Sequence, residues 1–485
     1  MKKLAWIASA LLSGCGDNLE MPDAGIPIDV PAPIDAPSFT PPTPFSFGLS
    51  AAGPDQMQAA WPGPNGTFYT AGFVATTLAG DKLLTVTRRT ATGPDATFGT
   101  GGVVTTTVKA GGGTGEIDVV TQSDGRIVVS TTTPAAVTNA MDAADTDIAL
   151  VRLETDGDLD PTFGVNGIRV VSLNESFLEP TTPTPTVRGR DGIRGLAIGP
   201  NDQIFVHAYQ RGEGLISGGA TPRIDTEFVV ARFTADGALD LGYGGGDGRF
   251  VYDIFVSSTH TNATPHVLQV EADGSVVAGG YANTPATGNT TQPVLYKVNP
   301  AGTALDATFA TSGLFHDIVL ATQTEIYNFA RHGDHIVTAG YGRATGTAND
   351  WVSMRFDITT GVRDTTWGGA ANGAVVFDPS GTMLGSNCRN ALALPDGKTL
   401  LVGSTGPSSM PTQDAVFAIL DATGHLDTTF GTGIVTYMLG ANGNDQFWGA
   451  AKSGGKVLVV GYQGGLATPT ATMNDDAYGV ILTLP

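Results

Sequence analysis

Six times in this chain an Asp is followed three residues later by an aromatic ring: Asp95/Phe98, Asp160/Phe163, Asp240/Tyr243, Asp306/Phe309, Asp364/Trp367 and Asp427/Phe430. The pairs recur about every sixty residues, so one supersecondary unit is built repeatedly, and a unit of that size cannot bury its apolar face alone. Each pair lies between two β-like runs, and most are followed by glycine, as in Phe98-Gly99 and Phe163-Gly164. An Asp at the head of a turn accepts backbone N–H bonds, glycine supplies positive φ, and the ring is free to fill the gap between units. The pairs are therefore expected to be structural punctuation and not an active-site motif.

Four β-like runs surround each pair. The second is the clearest: Arg126–Ser130, Gln203–His207, Ser275–Gly279, His335–Ala339, Lys398–Val402 and Lys456–Val460, with Thr67–Ala71 as the earliest copy. A tight-turn signal precedes each run, such as Asn65-Gly66, Asp124-Gly125 or Asp396-Gly397. Primed hairpin turns favour these residues, so the run ahead of the turn is the paired first strand. Third runs follow a variable loop, at Lys82–Arg88, Ile148–Leu153, Phe228–Phe233, Val294–Val298, Trp351–Phe356, Ala415–Leu420 and Ala477–Leu482. Fourth runs follow the Asp/aromatic turn, but the last unit lacks one, while an unpartnered apolar segment, Pro44–Ser50, precedes the first hairpin. The pattern predicts an all-β fold: a seven-bladed β-propeller of four-stranded blades over residues 44–485, with Pro44–Ser50 completing the C-terminal blade so that no sheet edge is exposed. A solenoid would need capping ends and would not account for the stray strand.

The residues Leu153, Leu159-Asp160-Pro161-Thr162-Phe163-Gly164 and Asp396-Gly397-Lys398 carry a resemblance to the delta-60 repeat family. Its units read roughly Asp-Gly-Lys-Ile-Leu-Val-Ala-Gly, an apolar run ending Arg-Leu or Arg-Phe, and Leu-Asp-x-x-Phe-Gly. The chain departs from that pattern at Tyr243, Trp367 and Ala310, and at Ile419 and Ile481, where Arg152, Arg232 and Arg355 stand in other units. The resemblance implies a secreted, propeller-like protein and brings no catalytic residues with it.

The N-terminus gives the expected address. Lys2 and Lys3 precede an apolar run, Leu4–Leu12, that is too short to span a bilayer as a helix, which is the layout of a secretion signal. Its end, Leu12-Ser13-Gly14-Cys15, resembles the bacterial lipobox, so residues 1–15 are expected to be a lipoprotein signal with Cys15 lipidated. Gly16 follows Cys15, which by enterobacteria-like sorting implies the outer membrane or cell surface. Lipid would hold the protein to the bacterial envelope without spanning it. Residues 16–43, rich in Asp, Pro and Ala, read as an extended stalk. With Cys15 consumed by lipid, Cys388 is the remaining thiol and no intrachain disulfide is expected. Glycine, 66 of 485 residues, is about twice its usual share and fits a turn-rich β chain. The formal charge of −21 argues against nucleic acid as a partner, because that would need clustered Lys and Arg. A monomer is expected.

Function is expected on the face that the Asp/aromatic turns do not occupy. Second-to-third and interblade loops vary in length there, and variable loops on a rigid scaffold are where binding sites are placed. On that face a Tyr recurs at the end of the second strand, at Tyr209, Tyr281, Tyr341 and Tyr462, with each ring expected beneath its own loop and its hydroxyl in water. Arg188, Arg190, Arg211, His266, Arg389 and Trp448 break the repeat near the expected channel mouth. Tyr209, Arg211, His266, Tyr281, Tyr341, Arg389, Trp448 and Tyr462 are the candidate ligand-binding residues, for an extracellular glycan or protein. No catalytic residues, metal site or cofactor are expected. Asp156, Asp158 and Asp160 mimic the start of a calcium loop, but Pro161 stands where its turn glycine belongs. A polysaccharide hydrolase or lyase is the alternative, with Glu179, Asp191, Glu213, Asp225 and Asp445 as available carboxylates. A structural envelope protein is a third reading.

Overall fold

Alternating apolar residues and short glycine turns produce an antiparallel meander in each unit of the computed structural model, which describes residues 39–109, 115–135, 146–173, 191–211, 225–254, 262–283, 290–370, 372–381, 385–406, 413–439, 444–464 and 475–483. The first meander is Asp55–Pro62, Phe68–Val74, Leu83–Arg89 and Val103–Thr106. Every residue of Phe68–Val74 is buried, because the two faces of the strand meet different neighbours. Tyr69, Ala71 and Phe73 join Val119, Val129 and Val151 of the next unit, whereas Phe68 joins Leu458 and Val460 from the far end of the chain. A strand covered on both faces is apolar on both, which is why these second runs read as nearly continuous apolar stretches.

The same meander recurs. Asp118–Thr121, Ile127–Pro134, Thr146–Leu153 and Ile168–Val171 make one sheet; Gly192–Ile198, Ile204–Arg211, Thr226–Phe233 and Arg249–Tyr252 another; Ser386–Ala393, Thr399–Thr405, Ala415–Leu420 and Ile434–Tyr437 a third. A larger sheet holds Ala263–Val270, Val276–Asn283, Thr291–Val298 and Leu314–His316, joined through Gln323–Thr324 to Asn328–His332, His335–Arg343, Asp350–Asp357 and Ala374–Phe377. In the last sheet Gln446–Ser453, Lys456–Gln463 and Asp476–Thr483 are followed by Phe45–Ser46, with Phe45 opposite Gly479 and Ser46 opposite Tyr478. The ladder with the N-terminal segment is thus shorter than Pro44–Ser50; one more bond, from Phe47 N–H to the Ala477 carbonyl at 2.9 Å, extends it. Phe39 and Pro42, expected within the stalk, touch this body, Phe39 edge-on to Phe430 and Pro42 accepting a bond from the Tyr437 hydroxyl. No α-helix occurs among the described residues, and the fold is a β-propeller. First strands of successive sheets touch in chain order, and Gln446–Ser453 returns to touch Asp55–Pro62.

The hairpin turns divide by residue type. At Asn65-Gly66 and Asp396-Gly397 both residues are left-handed, as primed turns require. At Asp124-Gly125 and Asp273-Gly274 only the glycine is, because the Asp carboxylate accepts the N–H two residues on, from Arg126 and Ser275, and so holds its own backbone in the common region.

The Asp/aromatic pairs tie each sheet to the next. In the second unit Arg152, on the third strand, donates from Nε to Asp160 Oδ2 at 2.7 Å and from Nη1 to the Ala235 carbonyl in the following unit's turn, while its guanidinium lies 4.6 Å from the Phe163 ring. Asp160 Oδ1 accepts from the Thr162 N–H and hydroxyl. Phe163 rests on Gly237 of the following turn, where any Cβ would collide with the ring. The arrangement repeats with Arg88, Asp95 and the Thr155 carbonyl, with Arg232, Asp240 and Pro300, and with Arg355, Asp364 and Ala422. In these units the guanidinium carbon lies 5.0 Å from the Phe98 ring, 4.7 Å from Tyr243 and 4.6 Å from Trp367. Where Ile419 replaces the arginine, Lys398 from the second strand takes over, its Nζ 2.6 Å from Asp427 and 5.3 Å from the Phe430 ring.

The pair Asp306/Phe309 departs from this scheme. Its third-strand cation is Lys297, with Nζ 3.4 Å from Asp306, and among the described residues no cation covers the Phe309 ring. From the third strand the Lys297 ammonium reaches Asp306 but, unlike Lys398 at Phe430, does not stand over the ring. Phe309 is instead held by apolar packing: it is fully buried among Leu295, Ile336 and Phe356, and it seats on Gly361 of the following turn, where a Cβ would come within 2.7 Å of the ring. The glycine expected after the ring is also missing. Ala310 takes its place at φ 44°, an unusual angle for a residue with a Cβ, and its N–H is tied to the Thr360 carbonyl in the next turn. Phe309 is thus held by packing alone.

Asp95, Asp160, Asp306, Asp364 and Asp427 all titrate below the usual range. For Asp95, Asp306 and Asp364 the threonine two residues on is the main cause, and Asp364 falls to about 2. For Asp160 and Asp427 burial pushes the other way and is outweighed by threonine and the basic partner. A carboxyl whose folded pKa is depressed stabilises the fold above its unfolded value of about 3.9 and loses that contribution as protons bind. The contribution of such a pair, read as the difference in urea stability between wild type and Asp364→Asn, should therefore hold down to about pH 4 and shrink between about 4 and 2. Asp160→Asn leaves Arg152, whose side chain is 3% exposed, without its counter-charge, and should cost about 3–5 kcal/mol in urea unfolding. A cost below about 1 kcal/mol would show that the pair is not what holds these sheets together.

Candidate functional site

Five first strands carry a register jump, between Met57 and Ala59, Ile193 and Gly195, Pro265 and Val267, Cys388 and Asn390, and Phe447 and Gly449. The residues skipped are Gln58, Arg194, His266, Arg389 and Trp448. A bulged residue leaves the ladder and its side chain is re-aimed, which lets a strand present a group its pleat would otherwise direct into a sheet face. All five line one cavity of about 590 Å³, joined there by Glu116 and Tyr327 from just ahead of the other two first strands. Each unit thus contributes one side chain to a shared ring.

The ring is a chain of contacts. Gln58 Oε1 accepts the Ile117 N–H at 2.9 Å. Arg194 Nη1 donates to Glu116 Oε1 at 2.8 Å and lies 3.5 Å from His266 Nε2, while His266 Nδ1 is 3.6 Å from Glu116 Oε2. The His266 ring sits 3.9 Å from Tyr327 and 5.5 Å from Tyr281, and Tyr327 stacks on Tyr341 with their hydroxyls 2.8 Å apart. The Arg389 guanidinium carbon lies 4.7 Å from the Tyr327 ring, 5.9 Å from Tyr341 and 4.8 Å from Trp448. Trp448 Nε1 donates to Gln446 Oε1 at 3.1 Å. Arg389 makes no hydrogen bond among the described residues, and its Nε is buried without an acceptor.

Burial and charge set the protonation states. Burial alone would raise Glu116, but Arg194, His266 and Arg389 outweigh it and hold the carboxyl at about 2. Burial drives His266 down to about 4 against the pull of Glu116, so the imidazole is neutral at pH 7. Asp118, two residues along the strand from Glu116 and lining the same cavity, is raised by burial to about 7, with the Glu116 charge adding to the rise. Glu325 is also raised by burial to about 7, partly offset by Tyr341 and Gln323.

Of the residues expected from the sequence, His266, Tyr281, Tyr341, Arg389 and Trp448 gather in this cluster. Tyr341 differs from expectation, since its hydroxyl meets Tyr327 rather than only water. Tyr209 and Arg211 line a neighbouring depression of about 240 Å³ with Arg194. Tyr462 is buried opposite Gln446, where the Arg389 charge reaches it. Asp191 and Asp445 serve the backbone: they accept the Leu173 N–H and the Leu439 and Gly464 N–H groups. Arg188, Arg190, Glu179, Glu213 and Cys15 lie outside the described residues. Cys388 is fully buried, and burial raises its thiol pKa despite the adjacent Arg389, which is the opposite of what an activated nucleophile needs. Asp160 is occupied by Arg152, and no His, Cys, Asp and Glu grouping suited to a metal occurs among the described residues.

Glu116, Arg194, Tyr327 and Gln58 were not singled out from the sequence, although a signal exists for three. Gln58, Arg194, His266, Tyr327 and Arg389 each stand seven residues before a hairpin-turn residue: Asn65, Asn201, Asp273, Asp334 and Asp396. In the second unit that offset falls on Ile117, and Glu116 takes the role from one residue earlier.

A family model described as a domain of unknown function, DUF5122 β-propeller, matches residues 122–163. No curated protein sequence matches. Among solved structures, a protein of unknown function from Dyadobacter fermentans is 14% identical with a TM-score of 0.41, covering 77% of this chain and 95% of that one. The β-propeller domain of the Trilobed protease from Pyrococcus furiosus is 10% identical with a TM-score of 0.40, over 88% of this chain and 95% of that one. The NanB sialidase of Streptococcus pneumoniae is 10% identical with a TM-score of 0.41, over 91% and 70%. At these identities and TM-scores the likenesses carry no argument about this chain.

Proposed function

We propose that this chain is a binding module of the bacterial cell envelope: a seven-bladed propeller, its last blade completed by Phe45–Ser46, carried on a stalk from a lipidated Cys15 and taking its ligand at the ring of first-strand side chains. The ring reading is supported by the first strands touching in chain order and by the pairing of Phe45 with Gly479. An experimental structure with another blade number would overturn it. The observation that carries the binding role is Arg389, a half-buried cation flanked by aromatic rings, facing a cavity, with no hydrogen bond of its own among the described residues. A guanidinium held among aromatic rings with its Nε unpaired keeps hydrogen-bonding capacity that a group from outside can take up.

Screening the full-length protein on a glycan array and against envelope proteins should give a ligand whose affinity falls about tenfold or more in Arg389→Met and Trp448→Ala, corresponding to roughly 1.4 kcal/mol or more. A ligand whose binding both variants leave unchanged would place the site elsewhere. For the anchor, wild-type protein should fractionate with membranes and Cys15→Ser should not, and equal partition of the two would remove the lipid.

A second reading, a polysaccharide hydrolase or lyase, is favoured by one feature. Glu116 and Asp118 line the same cavity with protonation pushed in opposite directions, to about 2 and about 7, the split that acid/base catalysis needs. Under this reading the protein releases reducing ends from a polysaccharide at neutral pH, and Asp118→Asn lowers the rate about a hundredfold or more. No release from a panel of neutral and acidic polysaccharides would leave the site to binding alone.

A further inference from the structure

Resting on the binding reading above, we infer that the ligand is an acidic polysaccharide whose sugar carboxylate, of the uronic acid class, docks on the unspent guanidinium of Arg389. Three observations select that chemistry. The first is charge. Arg194 is already paired with Glu116 at 2.8 Å, and Lys452, which also lines the cavity, is exposed to solvent. Arg389 is left as the desolvated cation of the cavity, with its Nε lacking an acceptor. The second is shape. Rings from Tyr327, Tyr341 and Trp448 stand 4.7, 5.9 and 4.8 Å from the guanidinium carbon and flank it. A planar fork of N–H donors remains, and it matches a carboxylate through two parallel bonds.

The third is the neighbour. Glu116 stays ionised within range of the Arg389 charge, so a dianion such as phosphate meets about twice the repulsion that a single carboxylate does. Asn328 and Asn390 line the same cavity with amides that both donate and accept, suited to hydroxyls. Trp448, half-buried on the cavity wall, supplies an indole that can meet the C–H surface of a pyranose. The cavity, about 590 Å³, lies within the range of roughly 300–1,000 Å³ that holds a compact ligand. A peptide carboxylate would satisfy Arg389 equally well and its backbone could pair with the two amides, but it lacks the flat C–H face of a pyranose for the Trp448 indole.

The test uses the full-length protein and calorimetry with four probes: trigalacturonate, its methyl ester, neutral galactotriose and triglutamate. Trigalacturonate should bind, methyl esterification should weaken it about tenfold or more, and Arg389→Lys should do the same, since lysine keeps the charge but loses the fork. The esterified probe on wild-type protein gives the answer even if the variant folds poorly. Equal binding of the neutral trisaccharide or the ester overturns the carboxylate. Tighter binding of triglutamate overturns the sugar. If none of the four binds while the wider screen yields a ligand sensitive to Trp448→Ala, the inferred ligand class is wrong and the site stands. If no ligand of any kind responds to Trp448→Ala, the site reading fails with it.

Discussion

The forward reach of a third-strand cation into the next unit's turn is the interaction on which the rest depends. A four-stranded meander is half-buried at best and cannot stand alone, so each must be fixed to its neighbours in one rotational setting. Apolar contact between sheets supplies most of the burial but is indifferent to small slips. Arg152 removes that freedom. It binds Asp160 in its own turn, the Ala235 carbonyl in the next, and covers Phe163, which itself seats on Gly237. The same geometry recurs at Arg88, Arg232 and Arg355, and variants of it at Lys398 and at Lys297, where Phe309 on Gly361 keeps the ring contact without the cation. Because these contacts all lie on the turns after the third strands, they leave the opposite ends of the first strands out of that lock.

That division explains where the chemistry gathers. The first strands need their ladder to the second strands, yet five give up one residue to a bulge, and the released side chain enters the central cavity. A scaffold that rigidly repeats its turns can vary this single position freely, and it does: Gln58, Arg194, His266, Arg389 and Trp448 place an amide, two guanidiniums, an imidazole and an indole there. The repeat fixes the position, and each unit sets its own side chain.

Some of this was legible early. The Asp/aromatic pair and the glycine after it follow from local turn chemistry, so they appear in the sequence at fixed spacing. His266, Arg389 and Trp448 were legible as departures from the repeat. Arg194 and Tyr327 were hidden because an arginine or a tyrosine in a β-rich chain is ordinary until its offset from the next turn is counted. Glu116 was hidden more deeply, since it sits one residue off that offset. The replacement of an arginine by Lys398 at Asp427 was beyond reach, because it depends on two strands lying side by side with the lysine's reach to match. So was the bare ring of Phe309, whose Asp–aromatic spacing is the same as in the units where a guanidinium covers it.

The sequence by itself determined the unit, its turns, the expected strand count and the apolar character of the second strands, because each of these is governed by residues a few positions apart. Only the tertiary structure decided that Glu116, Arg194, His266, Tyr327, Arg389 and Trp448 meet, since more than three hundred residues separate the first from the last. Their convergence comes from packing first strand against first strand. The same contacts decided which of the charges are satisfied: Arg194 found Glu116, and Arg389 found aromatic rings and no acceptor among the described residues. Whether a buried cation is matched is a property of distances across the fold, and no local pattern encodes it.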